Sequence, residues 1–226
     1  MQDLNPPDNS KQTQLDNRVL KRSFPAWTAW LAILVLSSVV GILLRRAGFT
    51  LFKFSARDWP MGASILVWAL FSLYWEAAAR NAAAAAESEP RGSRRVHLFI
   101  LTAAQLLIFL PVYGLRQRYL PASLMVSTAG LTLQLMSLLL AVRARQCLGR
   151  NWSGKIAINV DHVLVRNGPY RWLRHPIYTA LLGMYAGTAI VWGNWHALIG
   201  LGLAVFAYLR KIRLEEANLH NSPWCK

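Results

Sequence analysis

The sequence predicts an all-α, polytopic helical membrane protein with about six hydrophobic segments, the last two forming a helical hairpin behind a cytosolic cofactor-binding loop. Three observations predict it. Of 226 residues, 54% are hydrophobic and only 15% charged, with ten tryptophans, a balance too apolar for a water-soluble domain. Apolar windows recur at close to the roughly 20 residues that a helix needs to cross a bilayer core. Aromatic or basic side chains stand at their ends, where they anchor a span at the lipid–water interface.

The first segment, Pro25 to Leu44, is flanked by Lys21-Arg22 and Arg45-Arg46. It is long, lacks a small-residue cleavage site and is followed by further spans, so it reads as a retained helix. Trp59 to Trp75, Val96 to Leu115 and Leu120 to Val142 follow. The last pair, Ile177 to Trp192 and Trp195 to Leu209, is shorter and joined by the tight turn Gly193-Asn194, which predicts a hairpin that either spans fully or tilts and partly re-enters. The chain therefore divides into a polar tail at 1–24, expected to be disordered, N-terminal helices at 25–142, a loop and hairpin at 143–219, and a short tail at 220–226. Residues 77–95 form an alanine-rich, charged connector with Pro90 and Gly92 near its end.

Charge distribution orients the chain. Of its 25 Lys and Arg, 19 fall on the side shared by both termini and 6 on the other. The positive-inside bias places both termini and the loop 143–176 in the cytosol. The formal charge of +15 is spread along loop edges with no nucleic-acid module around it, so contact with anionic lipid headgroups accounts for it better than nucleic acid does. Cys147 and Cys225 imply no disulfide framework. His97, His162, His175, His196 and His220 have no metal-ligand spacing, so no metal is expected. No glycine-rich phosphate loop is present, and the glycines from Gly183 to Gly202 sit in apolar runs, where they serve close helix packing in lipid. Oligomeric state is not legible.

Chemistry concentrates in the stretch from Gly168 to Tyr178 and in the adjacent acids Glu215 and Glu216. Val160 to Val165 predicts a short extended run, and Asn167-Gly168-Pro169 a turn. Pro176 suits the first turn of a helix because it has no backbone donor to waste there. His175 and Arg174 then stand at a helix start, where unsatisfied N–H groups favour anions. Across the hairpin, Arg210, Lys211, Arg213, Glu215 and Glu216 return to the same membrane face. Such a site suits a zwitterionic cofactor with an aromatic base. Acids would take an ammonium, His175 and the helix start a carboxylate, and Tyr170, Tyr178 and the aliphatic run 163–165 would wall an adenine. The same tyrosines and arginines also suit plain interface anchors, and Glu215 with Arg213 a solvated surface pair.

The order His162-Val163-Leu164-Val165, Gly168-Pro169-Tyr170, Arg174-His175-Pro176-Ile177-Tyr178 and Glu215-Glu216, preceded by Leu148-Gly149-Arg150-Asn151-Trp152-Ser153, resembles the isoprenylcysteine carboxyl methyltransferase family over roughly residues 148–219. The resemblance implies an integral membrane methyltransferase that uses S-adenosylmethionine and acts on a lipophilic substrate. It implies cofactor-binding positions at His162, Val163, Leu164, Val165, Tyr170, His175, Pro176, Ile177, Tyr178 and Glu215. It also implies a basic residue that meets a substrate carboxylate, for which the register offers Lys211 first, with Arg210 and Arg213 beside it. The chain departs from the family at Ala180, where glycine is frequent, and after Leu219, where a phenylalanine-glycine and tyrosine-bearing tail is usual. If that tail closes the pocket, the short one predicts weak or absent activity. A membrane sterol or enone reductase shares a histidine-proline-tyrosine element but binds NADPH, whose extra phosphate the acids at 215–216 would repel. The non-enzymatic alternative is a membrane scaffold or a truncated relic that keeps the fold.

Overall fold

Gly193 turns the chain between two long helices, and much of the structure serves to hold that turn. The computed structural model describes residues 59–79, 91–110, 112–149 and 167–220. The predicted segment Pro25–Leu44, the extended run 160–165 with its candidates His162, Val163, Leu164 and Val165, and both tails (1–24 and 221–226) lie outside the described residues. The described elements are α1 (Trp59–Ala79), α2 (Arg91–Phe109), α3 (Leu124–Leu148), a 3-10 turn (Gly168–Arg171), α4 (Pro176–Trp192) and α5 (Trp195–His220). Among the described residues there are no strands, in keeping with the all-α expectation.

Element ends follow local chemistry. Ser123 caps α3 by accepting a hydrogen bond from the Val126 N–H at 3.2 Å. The predicted start at Leu120 therefore moves to Leu124, beyond Pro121. At the other end α3 continues to Leu148, so residues 143–148, expected in the cytosolic loop, are helical. α2 begins at Arg91 and ends at Phe109, earlier at both ends than the expected Val96 to Leu115. Pro111 follows two residues later, and a residue before proline is pushed out of the helical region. α5 runs past the expected end at Leu209 to His220, which carries Arg210, Lys211, Arg213, Glu215 and Glu216 on a helix.

Two of these helices, α1 with 21 residues and α3 with 25, are long and apolar enough to cross a membrane, while α4 is apolar but has only 17 residues. Leu66, Leu70 and Leu73 on α1 and Leu133, Met136 and Leu139 on α3 point outward and are exposed. Inside, small residues let backbones meet. A Cβ on Gly187 of α4 would lie 2.6 Å from the Gly130 carbonyl oxygen and 2.7 Å from the Gln134 nitrogen of α3. A Cβ on Gly200 of α5 would lie 2.8 Å from the Ala104 carbonyl oxygen of α2. The expectation of close packing thus holds for these glycines, whereas Gly202 faces open space. α1 is tied on by polar bonds: Trp68 Nε1 donates to Thr188 Oγ1 at 2.9 Å and Gln134 Nε2 to the Ser64 carbonyl at 3.1 Å. Buried Arg145 donates to the Ala78 carbonyl at 2.5 Å and to the Gly149 carbonyl at 2.6 Å, satisfying the C-terminal ends of α1 and α3 together.

The segment between α2 and α3 straps the hairpin turn. Gly193 takes φ 63°, a left-handed cap that glycine adopts without steric cost, and its N–H bonds to the Ala189 carbonyl. Arg118 Nη1 donates to the Trp192 carbonyl at 2.7 Å, the Tyr119 N–H to the Gly193 carbonyl at 2.8 Å and the Tyr119 hydroxyl to the Ala189 carbonyl at 3.1 Å. In return the Trp195 and His196 N–H groups donate to the carbonyls of Gln117 and Leu115. The strap therefore satisfies the last carbonyls of α4 and the first N–H groups of α5, which a helix cannot satisfy itself.

Because the atoms facing Gly187 belong to the backbone and cannot swing away, Gly187→Ala is expected to destabilise the protein by about 1–3 kcal/mol, as overpacking does. Gly202→Ala should not lower stability. Thermal unfolding of both variants in detergent checks this contrast.

Candidate functional site

Helical spacing aligns Ala204, Ala207, Tyr208, Lys211 and Glu215 along one face of α5. The first four are buried, whereas the Glu215 side chain keeps 22% of its exposure. That face therefore changes from apolar to ionisable as it leaves the bundle. α4 starts at the same level, with His175 as its N-cap and Pro176 in its first turn.

The two helix ends meet through four side chains. The Tyr178 hydroxyl donates to Glu215 Oε1 at 2.5 Å. His175 Nε2 lies 3.3 Å from Glu216 Oε1, and His175 Nδ1 lies 3.9 Å from Glu215 Oε2. The His175 and Tyr178 rings stack with centroids 5.8 Å apart and planes 19° apart. The expected meeting of the helix start with the acids is observed, and the side chain that faces them is His175. Arg174 is exposed.

The start of α4 is also an anion-facing end. Pro176 has no N–H, the Thr179 N–H bonds to the His175 carbonyl at 3.0 Å, and the His175 side chain makes no capping bond. The Ile177 and Tyr178 N–H groups belong to that first turn, at the positive end of the helix dipole. Ionisable acceptors and backbone donors thus lie within one helical turn of each other. This donor set matches a ligand that carries both an ammonium and a carboxylate.

The remaining candidates fall in different places. Pro176 and Ile177 are buried in the core and set the helix start. Of the three basic candidates, only Lys211 is buried, one turn before Glu215 on the same face. Arg210 points to α2, donating to Ser93 Oγ at 3.0 Å and to the Ser93 carbonyl at 3.4 Å. Arg213 is exposed. Tyr170 lies on the 3-10 turn rather than in the His175 cluster, packed on the core beside Arg145 and Cys147. Asn167, Gly168, Tyr170 and Arg171 line an open concavity of about 700 Å³, a size that suits a nucleoside-bearing ligand.

Sequence reasoning missed two rings. Tyr208 stands 5.5 Å from Tyr178, and His97 of α2 stands edge-on to Tyr208 at 5.8 Å and 75°. Tyr208 was findable, since it precedes Glu215 by seven residues and so shares its face. Nothing in the sequence around His97 connects it to α5.

Residues 128–221, from the first turns of α3 to just past the end of α5, match the family model described as the isoprenylcysteine carboxyl methyltransferase (ICMT) family. The match supports a membrane methyltransferase of the isoprenylcysteine type. No curated protein matches the chain.

Burial, reinforced by Cys147 and opposed by Arg145, raises the Tyr170 phenol well above its usual 10.0. A phenol raised in the folded state resists ionisation there, so the unfolded chain releases its proton first as pH rises. Stability is therefore unaffected below about pH 10 and falls above it. Alkaline unfolding of the protein and of Tyr170→Phe is expected to show a smaller loss in the variant.

Proposed function

We propose, from the match of residues 128–221 to the isoprenylcysteine carboxyl methyltransferase family model, that the protein is an S-adenosylmethionine-dependent membrane methyltransferase acting on a lipophilic acceptor. The observation that carries the proposal is the junction of His175 and Tyr178 with Glu215 and Glu216. Glu215 and Glu216 take the cofactor's ammonium. His175, released from the acids, turns with the Ile177 and Tyr178 N–H groups toward its carboxylate. Partly exposed ion pairs contribute only about 0.2–1 kcal/mol, so ligand charges can replace the histidine at little cost. Tyr178 walls the base from one side, and Tyr170 is a further candidate contact, as are His162 to Val165 by the family resemblance alone, since that run lies outside the described residues.

When bound, S-adenosylmethionine supplies an electrophilic sulfonium methyl, and its transfer to a carboxylate or thiolate needs no general base. The chain's task is placement in near-attack geometry. Lys211 is the residue of choice for holding an acceptor carboxylate, because it is buried on the Glu215 face of α5, whereas Arg210 points to α2 and Arg213 is exposed. The acceptor enters from the lipid and the cofactor from the cytosolic side, with both termini on that side. A prenylated protein C-terminus, a free isoprenoid acid, a small thiol and a phospholipid amine all fit this entry route.

Titration calorimetry on the detergent-solubilised protein is expected to show S-adenosylmethionine binding that Glu215→Gln weakens at least about tenfold, the scale of one charge-assisted contact. Arg213→Ala should stay within about twofold of the parent. Binding of NADPH without S-adenosylmethionine would replace the methyltransferase reading by a reductase one. In native membranes, methyl label from the cofactor should enter a lipophilic product in amounts that His175→Ala sharply reduces. Extraction into protein, lipid or volatile fractions identifies the acceptor class, and equal labelling in both would remove His175 from the site.

A further inference from the structure

Four rings form a continuous column through three helices: His175 and Tyr178 of α4, Tyr208 of α5 and His97 of α2, with successive centroids 5.8, 5.5 and 5.8 Å apart. One end of the column is at the acids. The other is buried, with His97 only 8% and Tyr208 only 6% exposed. Ser93, one turn before His97 on α2, receives both Arg210 hydrogen bonds. α2 is thereby held in register against α5 at the level of the column. α2 lies wholly outside the family-matched stretch 128–221.

We propose that His97 is a positioning residue for the cofactor site, acting through Tyr208 on the Tyr178–Glu215 hydrogen bond; the inference rests on the methyltransferase reading above. The physical route is short. The Tyr178 hydroxyl lies on its ring axis, so it reaches Glu215 only while the whole side chain keeps its direction, and its ring packs against those of His175 and Tyr208. Tyr208 is in turn braced edge-on by His97, a geometry that aromatic quadrupoles favour. Removing the brace lets Tyr208 tilt toward the space left by the imidazole. Tyr178 follows, and Glu215 loses the partner that fixes its carboxylate for an incoming ammonium. His97 touches neither the acids nor the reacting atoms, so its effect is on cofactor affinity and not on the methyl-transfer step.

The test measures the S-adenosylmethionine Kd by calorimetry, together with KM and kcat for methyl transfer, in the full-length protein and in His97→Ala, His97→Phe and Leu98→Ala. Leu98 is half-exposed on the same helix and reports generic damage to α2. The expected result is a Kd and cofactor KM about three- to tenfold higher in His97→Ala, the scale of one ring–ring contact, with kcat at saturation within about twofold. His97→Phe, which keeps a ring edge against Tyr208, should restore the parent Kd, and Leu98→Ala should leave it unchanged. A Tyr178→Phe background should shrink the His97→Ala effect, since the route runs through the Tyr178 hydroxyl. An unchanged Kd in His97→Ala overturns the proposal, as does His97→Phe binding as weakly as His97→Ala, or full additivity with Tyr178→Phe. A parent protein that binds no S-adenosylmethionine overturns the methyltransferase reading itself, which separates the two failures.

Discussion

The register of the α4–α5 hairpin is the constraint on which the candidate site depends. Glu215 meets Tyr178 only if α5 returns along α4 at one particular rotation. A slip of one residue turns a helix by about 100° and would carry the carboxylate off the facing side. Register is fixed at both ends of the hairpin. Gly193 and the strap of Arg118 and Tyr119 set it at the turn, where α4 carbonyls and α5 N–H groups are satisfied by the same segment. The Tyr178–Glu215 hydrogen bond sets it at the open end. Two further contacts prevent the hairpin from sliding as a unit: the α3–α4 backbone approach at Gly130 and Gly187, and the Arg210–Ser93 link from α5 to α2.

Strengths differ along this frame in a way that suits binding. Backbone approaches at the glycines are dense and unyielding, because a displaced helix there would open a void or meet a carbonyl. Strap hydrogen bonds matter because each pairs a backbone group that the helix ends themselves leave unsatisfied. At the open end the His175 pairs with Glu215 and Glu216 are partly exposed and correspondingly weak. The rigid parts hold the geometry, and the weak part is where a ligand's charges can be exchanged for the protein's own.

Legibility in the sequence follows the range of each interaction. The helices among the described residues, the Gly193-Asn194 turn, Pro176 at a helix start and the meeting of that start with Glu215 and Glu216 were readable, because each rests on local chemistry or on hairpin topology. Helix ends were less so. Ser123 overrode the apolar pattern that began at Leu120, and the charged end of α5 stayed helical although its composition resembles a loop. The choice among Arg210, Lys211 and Arg213 was not readable either. It depends on which face of α5 meets α2, and Ser93 lies more than a hundred residues away in sequence. His97 was invisible for the same reason. Tyr170 was assigned to the same wall as Tyr178, yet its contacts are with the end of α3, a neighbour that no motif announces.

Photo-crosslinking of methyl-labelled S-adenosylmethionine to native membranes, followed by peptide mapping, tests the central claim most directly. The account expects label on peptides from the start of α4 and the charged end of α5, suppressed by excess S-adenosylhomocysteine and unaffected by NADPH. Label confined to other segments, or label that NADPH displaces and S-adenosylhomocysteine does not, would contradict it.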